Sequence, residues 1–145
     1  MIQSYEDLID VLETEFELCT KMLELLQREK DVIVSLDHKA LEDLLVNKQE
    51  ISEKIRMCDV RRERILRDLG FAQMTISEVA EIAEDEYKTS VSNIAVRFKS
   101  VIQSITELNK FNSLLIEKSL YYLKTSYNFL NTFDIKPRQK LSVEA

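Results

Sequence analysis

The chain has 145 residues but only one glycine, Gly70, and only one proline, Pro137. Sheets, phosphate loops and hairpin turns draw heavily on both residue types, so β-rich and nucleotide-loop architectures are excluded at the outset. Tryptophan is absent and histidine occurs once, as His38. A single imidazole, no Gly-rich loop and no paired-carboxylate motif leave little for catalysis. Only Cys19 and Cys58 could supply thiolate to a metal, and zinc needs three or four nitrogen or sulfur ligands. No uninterrupted apolar run approaches the 18 or so residues of a membrane span, so stable membrane insertion is not expected. The first fifteen residues contain Glu6, Asp7, Asp10, Glu13 and Glu15 and no base, which is not the pattern of a secretory signal. A cytoplasmic protein with free thiols is therefore expected.

What remains is helix-forming. Charged residues make up 32% of the chain, and with Leu, Ile, Glu, Lys and Arg abundant this predicts an all-α protein of long helices and few loops. The first helix is predicted over about 4–35. Its seam is Tyr5, Ile9, Leu12, Phe16, Cys19, Leu23, Leu26, Lys30 and Ile33, in steps of four and three. A second stripe, Leu8, Val11, Leu18, Met22, Leu25, Val32 and Leu36, implies a second neighbour. Ser35 or Asp37 can cap a second helix over about 38–69, which Gly70 ends in the left-handed conformation. Lys48 and Arg62 lie on that helix's seam, where they are expected to set register or to pair with an acid from another helix. Thr75-Ile76-Ser77-Glu78 reads as a capping box for a short helix over about 76–84, which could also run on into the next. A last helix is predicted over about 86–131.

The fold expected is one bundle over 1–133, an elongated antiparallel hairpin plus a long C-terminal helix, with residues 134–145 as a flexible tail. Charge is uneven: residues 1–35 carry a net −6, 71–86 a net −5, and 87–145 a net +5. The arginines from Arg56 to Arg67 alternate with Glu53, Asp59, Glu63 and Asp68. In an acidic chain they read as a solvated face, and no nucleic-acid partner is expected.

The last helix carries the feature that calls for a partner. Six of the eleven aromatic residues fall in 111–133, a stretch with only Glu117, Lys118 and Lys124 charged. Its front seam, from Tyr87 through Val91, Ile94, Phe98, Val101 and Ile105 to Leu108, weakens at Asn112 and Ser119. A second phase then takes over in Ile116, Leu120, Leu123, Tyr127 and Leu130, which points to a stutter around Asn109 and Asn112. A helix of about 46 residues spans about 69 Å and outruns a hairpin of about 45 Å, so its far end lacks cover from its own fold. Tyrosine and phenylalanine are residue types that anchor protein interfaces. The stretch is expected to bind a protein partner, with a self-associating coiled-coil scaffold as the alternative.

Several patterns together resemble the FlgN-like flagellar export chaperones. In the hairpin these are Leu26-x-x-Glu29, Ile33, Asp37, Leu41, Leu44, Lys48, Ile51 and Arg62-x-x-Ile65-Leu66-x-x-Leu69-Gly70. In the last helix the pattern is Asn109-x-x-Asn112-x-x-Leu115-Ile116-x-x-Ser119-Leu120-x-x-Leu123. The resemblance implies a cytoplasmic, non-enzymatic, cofactor-free chaperone of flagellar type III secretion. It would bind the helical C-terminal ends of the hook–filament junction proteins FlgK and FlgL and present them to the export gate. It places partner binding in the C-terminal helix, here Asn109, Asn112, Ile116, Leu120, Leu123, Tyr127, Leu130 and Phe133. Apart from the resemblance, the bare apolar end of the last helix leaves room for a homodimer in the absence of client. Thr132-Phe133-Asp134 is the nearest match to the family's gate-docking tyrosine and lacks its hydroxyl.

Overall fold

The computed structural model describes residues 2–132, with side-chain surroundings from Ser4 onward. Four helices follow in order: α1 Ile2–Ser35, α2 His38–Asp68, α3 Ile76–Ile82 and α4 Asp85–Thr132. The all-α expectation holds, and the boundaries lie within two residues of those expected. Phe133 and the tail at 134–145 lie outside the described residues.

The breaks have local causes. Leu36 adopts φ 56° between α1 and α2, and the Asp37 carboxylate then caps α2 by accepting from the Ala40 amide at 3.1 Å. At the far end of α2, Gly70 takes φ 80°. Its amide donates to the Arg67 carbonyl, and the Phe71 amide reaches back to the Leu66 carbonyl at 2.8 Å. This is the paired closure that a left-handed residue after a helix permits. Thr75 caps α3 by accepting from the Glu78 amide at 3.1 Å. Ala83 then leaves the helical region (ψ 149°), so α3 is a separate element and does not run on into α4.

Helix α1 packs against α2 on one side and α4 on the other, and α3 lies on α4. Among the described residues α2 and α4 make no close backbone approach to each other. The two apolar stripes of α1 thus serve two neighbours, as their spacing predicts. Cross-helix pairs give the directions. Glu15 meets Arg62 and Glu29 meets Lys48, so α1 and α2 are antiparallel. Glu13 meets Arg97 and Glu29 meets Asn112, so α1 and α4 are parallel.

The main core lies at the end holding the start of α1. Tyr5, Leu8, Leu12, Ile65, Leu66, Leu69, Val79, Tyr87, Val91, Ile94 and Phe98 are buried there, with Phe71 and Met74 packed against them. The Tyr5 and Tyr87 rings stack with centroids 4.9 Å apart, and Phe16 meets Phe98 edge-on at 6.0 Å. Each fully buried leucine here is worth about 1.5–3 kcal/mol over its exposed state. Arg97 lies over the Phe16 ring at 4.7 Å while also pairing with Glu13, which ties basic α4 to acidic α1.

Both seam cations pair inward, as their positions predict. Arg62 takes both oxygens of buried Glu15 at 2.9 Å and also reaches Asp59 at 3.0 Å. Burial pushes the Glu15 carboxyl up to about 8; the adjoining Asp59 side chain adds to the shift and Arg62 opposes it. Cys19 is buried and Cys58 half-buried, both free thiols in the packed interior. Burial raises the Cys19 thiol to about 11, which keeps it unreactive. In the arginine-rich stretch, Arg56 pairs with Glu53 on the exposed face, a local ion pair of the kind expected there.

Candidate protein-binding site

The upper half of α4 is built differently from the lower. From Tyr87 to Val101 its buried residues are apolar and all but Ala95 are large, and Asn112 is the next buried residue along the helix. Asn112 is 1% exposed, and its Nδ2 donates to the Leu26 carbonyl at 2.9 Å and to Glu29 Oε1 at 3.0 Å. The other Glu29 oxygen accepts from Lys48 Nζ at 2.9 Å. One carboxylate, itself 4% exposed, therefore links α1, α2 and α4 in a single layer. Helix α4 runs unbroken across Asn109–Asn112, so the change of sequence phase is not a break in the backbone. It marks the point at which apolar residues cease to face the core and begin to face a groove.

That groove lies one helical turn beyond the Glu29 layer. Val32, Ile33 and Leu36 of the α1 end, with Asp37, His38 and Leu41 of the α2 start, form one wall. Ile116, Ser119, Leu120 and Leu123 of α4 form the other. It encloses about 120 Å³ and is lined almost wholly by hydrocarbon. The polar groups at its edge are the Ser119 hydroxyl, the Asp37 carboxylate, already engaged as a helix cap, and the His38 ring.

The sequence-predicted positions divide accordingly. Ile116, Leu120 and Leu123 come together in the groove wall, and Leu120 is 54% exposed. Tyr127 and Leu130 continue up the helix, half-buried. Asn109 is exposed on the surface below. Asn112 is withdrawn from any surface: it is an internal clamp, because its amide satisfies a buried carbonyl and a buried carboxylate. Phe133 lies outside the described residues.

The expected overhang is present, but cover extends further up α4 than helix lengths alone predict. Paired residues on α1 and α4 differ by 83–84 in number, so Ser35 ends α1 beside residues about 118–119. The α1–α2 turn then reaches across to Leu123. Beyond it α4 continues to Thr132, about 14 Å at 1.5 Å per residue. Tyr121 and Tyr122 are 74% and 71% exposed, and Phe111 and Leu114 are also exposed. Phe111 holds the Lys30 ammonium 5.6 Å above its ring. The hairpin wall was not among the residues predicted for the site. The signal for it was there in Leu36, an apolar residue at a helix break where a polar turn residue is the norm.

Among the described residues no group of three or more His, Cys, Asp or Glu side chains could hold a metal ion. No described helix is long and apolar enough to cross a membrane. A larger depression of about 500 Å³ lies at the other end of the bundle, beside Arg62, Arg67 and the α2–α3 loop. It presents one carboxylate, Glu63, among mixed polar groups.

The arrangement is an apolar slot continued by an exposed, tyrosine-rich helix end, suited to taking up a further helix. Neither a curated protein nor a solved structure matches the chain. A family profile described as FlgN protein matches residues 1–134, which spans all four helices. The chain therefore belongs to the FlgN family, the flagellar export chaperones.

Proposed function

We propose that the groove between the hairpin turn and α4, with the exposed end of α4 above it, holds the amphipathic C-terminal helix of a hook-associated protein of the FlgK or FlgL kind. The chaperone acts in the cytoplasm, keeps that helix from associating early, and releases it at the flagellar export gate. Ile116, Leu120, Leu123, Tyr127 and Leu130 make the contact on α4, flanked below by Asn109. The observation that carries this reading is the joint apolar wall formed by Ile116, Leu120 and Leu123 with Val32, Leu36 and Leu41. Family membership supports the role, and the exposed tyrosines supply interface area beyond the slot. Burying a few hundred Å² of apolar surface at about 25 cal/mol/Å² yields several kcal/mol before ordering costs. An affinity in that range permits release as well as capture.

The test is a titration with a synthetic peptide of a FlgK or FlgL C-terminal helix. Leu123→Asp combined with Tyr127→Asp is expected to weaken binding at least a hundredfold, with far-UV helicity and thermal midpoint nearly unchanged. Undiminished peptide binding would refute the assignment. So would loss of the fold itself, which would mean that these residues belong to the core.

A further inference from the structure

We propose that Glu29 is the positioning residue of this site: through Asn112 and Lys48 it sets the register at which α4 and the hairpin turn face each other across the groove. The inference rests on the groove being the client site, but its structural half can be tested without a client.

The Glu29 carboxylate is bonded to side chains of two other helices. Oε2 takes the Lys48 ammonium of α2 at 2.9 Å, and Oε1 takes the Asn112 amide of α4 at 3.0 Å. The groove begins one turn along each chain direction, at Ile33 after Glu29 and at Ile116 after Asn112. Heptad seams of leucine and isoleucine are interchangeable when slipped by seven residues, because apolar contacts carry no directional preference. A buried amide can satisfy its N–H groups only at one level, here the Leu26 carbonyl and the Glu29 carboxylate. The fit comes at a cost in burial: Asn112 Oδ1 is buried without a hydrogen-bond partner. A leucine at 112 would continue the seam and avoid that unpaired oxygen. The polar layer is thus poorly explained as a source of stability and well explained as a register stop.

Spin labels at exposed Val34 and Tyr121 (Val34→Cys, Tyr121→Cys, in a Cys19→Ala, Cys58→Ala background) report the axial placement of α4 against the hairpin. The unaltered layer should give one narrow distance distribution. Asn112→Leu and Glu29→Leu should broaden it or add a second maximum, since a seven-residue slip moves a helix by about 10 Å. Glu29→Gln keeps an oxygen for Asn112 and should stay narrow. Asn112→Leu removes a buried unpaired oxygen but also the donor of Glu29 Oε1. The paired change Glu29→Leu, Asn112→Leu, which takes out both buried groups together, should broaden the distribution likewise and is read in place of either single variant that fails to fold. Narrow, unshifted distributions in Asn112→Leu would overturn the proposal, as would Glu29→Gln behaving like Glu29→Leu. FlgK-type peptide affinity should fall tenfold or more wherever the distribution broadens. A broadened distribution with undiminished peptide binding would overturn the groove as client site and leave the register role standing.

Discussion

Single side chains in this bundle are held in environments that leave measurable signatures. The Glu15 carboxyl, lifted to about 8 by burial and by Asp59, holds a proton in the native state that the unfolded chain has released above about 4.5. The native state therefore binds more protons than the unfolded one between those values. The stability contributed by this proton is complete below the lower value and lost as pH rises through the upper. Urea midpoints are expected to fall between pH 5 and pH 9, and Glu15→Gln should flatten that slope. A midpoint that rises over the same interval in the parent would contradict the assignment. Leu12, wholly buried in the main core, illustrates the apolar side: Leu12→Ala should cost about 2–5 kcal/mol of unfolding free energy by denaturant titration. The roles of Arg62 and Lys48 could be read from their seam positions, because a cation there either reaches the surface or finds an acid. That of Asn112 could not, because an asparagine in a fading apolar stripe looks equally like a surface residue. Only the third dimension puts the Leu26 carbonyl and Glu29 against it.

At the scale of elements, boundaries were legible wherever a capping side chain or a glycine stands at the break. Asp37, Gly70 and Thr75 all do what their chemistry allows. Gly70 is also testable: a Cβ there meets nothing within 4 Å, so Gly70→Ala costs only the left-handed conformation, about 1–2 kcal/mol. Leu36 was the element-level surprise. It holds φ 56° with more than half its surface exposed, which a leucine does at a conformational cost. Leu36→Gly should therefore hold or raise the thermal midpoint while weakening client-peptide binding several-fold. A parallel loss of both would show that the residue serves the fold alone. The second wall of the groove was hidden from sequence for the same reason. Periodicity shows which residues share a face, but not that a turn closes across to another helix 80 residues away.

For the molecule as a whole, helix order, the overhang of α4 and the two neighbours of α1 followed from lengths and stripes, whereas the separation of α3 from α4 rests on the extended backbone at Ala83, which the sequence left open. The same exposed aromatics that suit a client also suit a second copy. Sedimentation at low micromolar concentration separates the two: a chaperone is expected to be predominantly monomeric without client and to form a complex when peptide is added. A stable dimer that peptide leaves intact would favour the scaffold.

The position of α1 between two helices whose backbones do not closely approach each other also bears on how the chain acquires its shape during synthesis. The α1–α2 hairpin closes between near neighbours and can form as soon as residue 68 is available. The α1–α4 seam joins residues more than 80 apart and has to wait for α4 itself, first Arg97 and later Asn112. The groove is thus the last part of the bundle to take shape, since its hairpin wall has no opposing surface until residues 116–123 have been added.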